Sequence, residues 1–141
     1  IDTARSYLNI EQVRVGDRLI VEWAIADATL GVPVPVLSLQ PLVENAVHHG
    51  VMHRDEGGTI RISTELQKHG SGVDYLLLTV VNPVPEVPVP SQGSRLALTN
   101  LTERLRIAYD GRASLHGERK DDHFRIEMRL PVVTEVRQGV A

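Results

Sequence analysis

The most informative segment of this chain runs from Leu39 to Gly50 and has the sequence LQPLVENAVHHG. Its apolar residues recur three and four positions apart, which is the spacing of one buried face of an α-helix. We therefore expect a helix over Leu37 to Gly50. Ser38 is its candidate N-cap, Pro41 falls in the first turn, where a missing N–H costs little, and Gly50 is the expected stop.

The same helix concentrates polar groups at its C-terminal end. Asn45, His48 and His49 are three and four positions apart and so share one face, and Glu44 directly precedes Asn45. A carboxylate, an amide and two imidazoles within six residues indicate a binding site. The alternative is a solvated last turn in which the helix dipole favours the two imidazoles. Residue types alone leave both interpretations open.

The flanking sequence predicts two more helices and five strands. The helices are expected over 2–15, with Tyr7, Leu8, Ile10 and Val13 as its apolar residues, and over 96–109. The strands are expected over 18–25, 59–67, 73–81, 112–118 and 123–130. The order helix, strand, helix, strand, strand, helix, strand, strand predicts an α+β two-layer sandwich with the helices on one face of the sheet.

The chain is expected to form a single domain over residues 1–141. Residues 1–15 are interpreted as the tail of an upstream helix, and residues 132–141 as a C-terminal tail. The first residue is not Met, so we interpret the sequence as part of a longer protein. The segment from Asn82 to Gln92 contains four prolines and is expected to be a stiff, extended loop.

Composition excludes several classes of function. There is no cysteine, which excludes disulfides, thiolate zinc sites and cysteine nucleophiles. Fifteen Lys and Arg against 18 Asp and Glu give a formal charge of −3, so binding nucleic acid through bulk charge is not expected. A metal site built from His48, His49 and His53 is disfavoured because no carboxylate completes a ligand set.

Several segments, in the right order, resemble the sensor histidine kinases of the LytS/YehU/AlgZ type. Residues 7–19 resemble the family's first helix and strand, and 39–50 resemble its N box. Residues 93–105 resemble its glycine box, and Leu130-Pro131 its closing strand. The resemblance implies the ATP-binding domain of the gyrase, Hsp90, histidine kinase and MutL superfamily. This Bergerat, or GHKL, fold has a mixed five-stranded sheet with three helices on one face.

The resemblance also implies roles for the polar end of the 37–50 helix. Asn45 matches the magnesium-binding Asn, and an amide oxygen suits a hard cation that keeps most of its waters. His48 and His49 match positions that face the phosphates, where they would donate hydrogen bonds. Glu44 is the candidate base or metal organiser, with a purely structural role at a helix contact as the alternative.

The adenine site departs from the superfamily pattern of Asp-x-Gly. Here the sequence is Asn82-Pro83-Val84, and the Asn82 side-chain oxygen would accept the adenine amino group without a charge. The alternative is that Asn82-Pro83 only ends a strand.

The glycine box is also reduced. Gly93 and Leu98 match the pattern, whereas Arg95 and Ala97 stand in positions that are normally glycine. Arg95 either contacts phosphate or obstructs it. Asn100 matches the family's Asn, although Asn100 and Glu103 also fit a helix capping box.

Together these matches imply a two-component sensor kinase that uses ATP and Mg²⁺. The γ-phosphate would pass to a histidine on an upstream dimerisation segment and then to a response regulator of the LytTR type. The implied kinase is a homodimer through that upstream segment. It is anchored in the inner membrane only through an N-terminal part, with this domain in the cytoplasm. The alternative is a degenerate domain of the same fold that binds ATP weakly or not at all and acts as a protein-interaction module.

Overall fold

A computed structural model describes residues 2–35, 38–51, 55–68, 72–84 and 92–132, without the side chains of His49 and of residues 92–96. The helices are α1 (Asp2–Val15), α2 (Gln40–His49) and α3 (Gln92–Ala108). The strands are β1 (Leu19–Ile25), β2 (Gly58–Gln67), β3 (Tyr75–Pro83), β4 (Ser114–Lys120) and β5 (His123–Pro131). Short 3₁₀ turns lie at Gly16–Arg18 and Asp27–Thr29. The predicted order of helices and strands is confirmed.

The five strands form one mixed sheet in the order β1-β2-β3-β5-β4. β1 and β2 are parallel because the chain crosses over through α2 between them, and the other neighbours are antiparallel. The register pairs Trp23 with Ile62, Ile62 with Val80, and Val80 with Ile126. The expected mixed sheet with three helices is confirmed.

Alternate strand residues build the core under the helices. One face of the sheet carries the buried side chains of Ile60, Ile62, Leu78, Val80 and Met128, among others. The helices cover this face with Leu8, Leu42, Val43, Ala46, Val47, Leu101 and Leu105, all at most 2% exposed. The opposite face carries charged pairs such as Glu22–Arg61, and the described helices all lie on the first face.

The face that α1 buries differs from the expected one. Ala4, Leu8 and Glu11 are buried, whereas Ile10 is 65% exposed and Val13 is 89% exposed. Ala4, Leu8 and Glu11 are four and three positions apart, so they form a proper helical stripe. The prediction is confirmed for Leu8 and for Tyr7, which packs against the core. It was wrong for Ile10 and Val13 because it assumed that apolar residues mark the buried face, and here a carboxylate occupies one of those positions.

The N-cap of α2 is also corrected. Leu39, not Ser38, holds the N-cap position, and no side chain caps the helix there. Ser38 is buried, and its hydroxyl has no hydrogen-bond partner among the described residues. Pro41 lies in the first turn, as expected.

Strand β3 ends at Asn82-Pro83, two residues beyond the expected boundary at Val81. Asn82 pairs with Phe124 and Pro83 with His123. Pairing with β2 stops at Val81, so Pro83 has a neighbouring strand on one side only. Proline is tolerated there because the backbone needs no second ladder of hydrogen bonds.

Helix α3 begins at Gln92, four residues earlier than expected, and so contains the whole reduced glycine box in its first turns. The proline-rich segment over 85–91 and the tail beyond Val132 lie outside the described residues. Within the part of the chain that is described, no helix is long and apolar enough to cross a membrane.

Candidate functional site

The candidate site lies at the end of the sheet where β3 ends. α2 follows β1 and precedes β2, so its C-terminus lies at the sheet end where β2 begins and β3 finishes. α3 is followed within a few residues by β4, which begins at the opposite sheet end, because Ser114 pairs with Arg129. The N-terminus of α3 therefore points toward the end that holds Asn82. Three elements thus converge on this end of the sheet.

At Gly50, the end of α2 packs directly against the end of β3. It ends α2 as predicted, but its φ of −118° is not left-handed, so turn conformation does not explain the glycine. A Cβ there would lie 2.5 Å from the Pro83 carbonyl oxygen, 2.7 Å from the Ala46 carbonyl oxygen, and closer still to the Asn82 side-chain nitrogen. The glycine is needed because the end of α2 lies directly on the end of β3.

Asn82 is 2% exposed, and its side-chain nitrogen donates a 2.9 Å hydrogen bond to the Pro83 carbonyl oxygen. This bond uses one of the two amide hydrogens and orients the group. Oδ1, an acceptor, is the atom that suits a donor such as the adenine amino group.

Asn45 and Glu44 are adjacent polar residues of α2, and Asn45 is the more buried of the two. Asn45 is 8% exposed, and Glu44 is half-buried. The Gln40 side-chain nitrogen donates a 3.1 Å hydrogen bond to Glu44 Oε1, one helical turn away. The carboxylate of Glu44 is therefore fixed along the helix surface by its own neighbour.

His48 is exposed and contacts α1. Its Nε2 lies 3.1 Å from the Tyr7 hydroxyl oxygen. Burial raises the pKa of Tyr7 to about 12, and the negative charges of Glu11 and Glu44 act in the same direction. The phenol is therefore protonated at neutral pH.

Glu11 is 6% exposed and lies near the same phenol. Its Oε1 is 3.7 Å from Arg14, and its Oε2 has no hydrogen-bond partner among the described residues. Sequence analysis missed Tyr7, Glu11 and Gln40 as neighbours of the site. The spacing of four between Tyr7 and Glu11 was the available indication that both lie on one helix face.

The glycine-box residues occupy the first three turns of α3. Gly93 and Arg95 fall in the first turn, and their side chains and surroundings lie outside the described part of the structure. Leu98 packs against the core, and Asn100 is exposed. The capping-box interpretation was wrong, because α3 starts eight residues before Asn100 and Glu103 pairs with Arg106 at 2.6 Å instead.

The residues at this end of the sheet carry the kinds of ligand and donor group that can bind a magnesium nucleotide. Amide oxygens are ligands for hard cations, an imidazole N–H binds phosphate oxygens, and a glycine in the first turn of a long helix leaves room for a phosphate. Of the predicted site residues, the structure brings Asn45, His48 and Asn82 to this end. His49 belongs to α2, but its side chain is not among those that the structure describes.

Other parts of the structure were candidates for a site. A cavity of about 440 Å³ lies toward the opposite end of the sheet, lined by Ser38, Leu39, Leu76 and Leu78 among others. No group of three His, Asp or Glu side chains among the described residues is arranged to hold a metal ion. His53 lies outside the described residues, whereas His116 and His123 lie in β4 and β5 as expected.

Known proteins with similar sequences are sensor kinases. Over 140 residues the chain is 27% identical to the sensor protein LytS of Oceanobacillus iheyensis, covering 93% of this chain and 24% of LytS. It is 30% identical over 136 residues to the sensor histidine kinase YpdA of Escherichia coli, covering 90% and 23% of the two chains. It is 31% identical over 133 residues to BtsS, a sensor histidine kinase of the same organism, covering 93% and 23%.

The chain is homologous to the LytS, YpdA and BtsS sensor histidine kinases. The resemblance carried by the N box and glycine box is thereby confirmed. The chain spans about a quarter of the length of these relatives. No family model matches the chain.

Solved structures show the same fold. The catalytic domain of histidine kinase ThkA superposes with a TM-score of 0.63 at 14% identity, covering 89% of this chain and 88% of that one. The histidine kinase domain of the blue-light activated kinase EL346 from Erythrobacter litoralis gives a TM-score of 0.61 at 20% identity, covering 91% and 58%. The expected histidine kinase catalytic fold is confirmed.

Proposed function

We propose that this chain is the ATP-binding catalytic domain of a two-component sensor histidine kinase. The observation that carries the proposal is the convergence of α2, β3 and the start of α3 at one sheet end, with Asn45 and His48 on α2 and Asn82 on β3. This convergence occurs in a homologue of sensor kinases, on the fold of their catalytic domains. Phosphoryl transfer depends mainly on positioning and charge neutralisation, which such a constellation provides.

Each site residue has a role in the proposal. Asn45 would hold Mg²⁺ through its amide oxygen, and the ion would neutralise charge on the phosphates. His48 and His49 would donate hydrogen bonds to phosphate oxygens. Glu44, held by Gln40, would act as a base or orient the ligands of the cation.

The first turns of α3 would hold the phosphates. Gly93 would let phosphate approach the helix N-terminus, and Arg95 would add a charged donor. Leu98 packs that turn against the core, and Asn100 is the remaining polar group of the segment.

Asn82 would select the base. Its nitrogen is already bonded to the Pro83 carbonyl, which leaves Oδ1 to accept a hydrogen bond. Adenine presents an amino donor, whereas guanine presents a carbonyl at the equivalent ring position. ATP should therefore bind more tightly than GTP, and equal affinities would contradict this role for Asn82.

A calorimetric titration tests the proposal directly. The wild-type chain should bind a non-hydrolysable ATP analogue with Mg²⁺, and Asn45→Ala should lose the dependence on Mg²⁺ while keeping its circular dichroism spectrum. Asn9→Ala, an exposed amide on α1, is the matched control and should bind as the wild type does. In the complete kinase, Asn45→Ala should abolish phosphorylation.

The second candidate is a degenerate domain that serves as an interaction module. The near-complete burial of Asn82 favours it, because the amide must become accessible before any base can reach it. Absence of nucleotide binding by the wild-type chain, with or without Mg²⁺, would establish this alternative.

The proposed kinase would act with partners outside this chain. The γ-phosphate would pass to a histidine on an upstream dimerisation segment, which would also form the homodimer. A response regulator of the LytTR type would then receive the phosphate. The domain would lie in the cytoplasm, joined to an inner-membrane anchor through that upstream part.

A further inference from the structure

The contact between α1 and α2 has a feature that the proposed site does not use. The Tyr7 hydroxyl on α1 meets Nε2 of His48 on α2 at 3.1 Å, although the two residues are 41 positions apart. Tyr7 is half-buried and His48 is exposed. The phenol is therefore held by the protein, whereas the imidazole is free to reach a ligand.

The groups around this contact favour Tyr7 as the donor and Nε2 of His48 as the acceptor. Tyr7 has no other hydrogen-bond partner among the described residues, so its hydroxyl hydrogen is available to Nε2. The charged groups near the phenol are Glu11 and Arg14 of α1 and Glu44 of α2. Burial and the two carboxylates oppose ionisation of the phenol, which therefore keeps its hydrogen at neutral pH.

A hydrogen bond donated to Nε2 determines which nitrogen of a neutral imidazole carries the ring hydrogen. When Nε2 accepts from Tyr7, the ring hydrogen must be on Nδ1. Nδ1 of His48 has no partner among the described residues and lies on an exposed ring. In that tautomer Nδ1–H is a donor on the exposed edge of the ring and is available to a phosphate oxygen.

We propose that Tyr7 is a positioning residue that orients His48 and holds its Nδ1–H as a donor for the nucleotide phosphates. This rests on the proposed function, because it assigns His48 a phosphate as ligand. It also makes phosphate binding depend on the position of α1, since displacement of α1 would remove the hydroxyl from Nε2.

Nitrogen NMR of the imidazole tests the contact without any nucleotide. In the wild-type chain, the neutral His48 ring should carry its hydrogen on Nδ1. Tyr7→Phe, which keeps the aromatic ring, should shift His48 toward the Nε2–H form. A wild-type ring with its hydrogen on Nε2 would overturn the proposal, and this measurement needs no variant to fold.

A double-mutant cycle tests the role in binding. Tyr7→Phe should weaken ATP roughly fivefold relative to ADP, the loss expected for one hydrogen bond. On a His48→Ala background the same change should have no effect, because a positioning residue acts only through the group it orients. Tyr109→Phe removes a buried hydroxyl that has no hydrogen-bond partner among the described residues, and it should leave ATP binding unchanged.

The outcomes separate this proposal from the proposed function. A wild-type chain that binds no ATP overturns the proposed function. A chain that binds ATP, but in which Tyr7→Phe has no effect or has the same effect with and without His48, overturns only the role of Tyr7.

Discussion

Gly50 and Asn82 are packed so closely that no side chain fits between them. A methyl group on Gly50 would press on the Asn82 amide and lie 2.5 Å from the Pro83 carbonyl oxygen. This contact joins the helix that carries Asn45 and His48 to the strand that carries Asn82. The absence of a side chain at Gly50 therefore allows the two parts of the proposed nucleotide site to pack against each other.

Gly50→Ala should therefore destabilise the chain by about 1–3 kcal/mol, because the end of α2 or of β3 must move to admit the methyl group. A thermal melt should show a Tm lower by several degrees. Gly31→Ala is the matched control, since a Cβ at Gly31 meets nothing within 4 Å and the residue does not need a positive φ. Equal melting temperatures for the two variants would contradict this account of Gly50.

Asn82→Asp should not restore the superfamily's adenine residue. The carboxylate cannot donate to the Pro83 carbonyl oxygen, which now accepts from Asn82 at 2.9 Å, and it would be buried beside that oxygen. We expect a loss of about 1–3 kcal/mol in the free energy of unfolding at pH 7. Denaturant titration measures it, with exposed Asn9→Asp as the control.

The cost of Asn82→Asp should decrease in acid. Burial beside a carbonyl favours the protonated carboxyl, so its pKa in the folded chain would rise above the unfolded value. The penalty would then be present at neutral pH and relieved as the pH falls through the folded pKa. A difference from wild type that stays constant between pH 7 and pH 5 would refute this explanation.

Arg95→Gly should weaken ATP binding by roughly tenfold or more if Arg95 contributes a charge-assisted hydrogen bond to phosphate. ADP should be affected less if the γ-phosphate is its partner. Arg104→Gly, farther along α3, controls for the effect of glycine on the helix. Calorimetry with both nucleotides decides the matter, and tighter ATP binding by Arg95→Gly would mean that Arg95 obstructs the site.

Stability should fall in strong alkali because two phenols resist ionisation in the folded chain. Burial raises the pKa of Tyr109 to about 12, and the pKa of Tyr7 is also raised to about 12. An unfolded tyrosine ionises near pH 10, so between pH 10 and pH 12 the unfolded state releases protons that the folded state keeps. The free energy of unfolding should therefore decrease across this range.

Tyr109→Phe should make that decrease shallower. The variant should match the wild type at pH 8, because the Tyr109 hydroxyl has no hydrogen-bond partner among the described residues to lose. Urea denaturation at pH 8 and at steps between pH 10 and pH 12 gives both values. An identical alkaline slope in the two proteins would rule out a contribution from Tyr109.

The local sequence was sufficient to predict the order of helices and strands and the core face of α2. Leu42, Val43, Ala46 and Val47 are all fully buried, as their spacing indicates. The N-box resemblance was sufficient to predict the mixed sheet, which the structure confirms. These features follow from periodicity and short motifs, which depend on residues close together in the chain.

Only the tertiary structure decided which face of α1 is buried and what lies beside the site. α1 buries Glu11 and exposes Val13 because the face toward α2 and β1 is set by how the helices pack, not by which side chains are most apolar. The Tyr7–His48 contact and the burial of Asn82 against Gly50 join residues more than thirty positions apart. No periodicity within one element predicts such contacts, since they depend on how separate elements are brought together by folding.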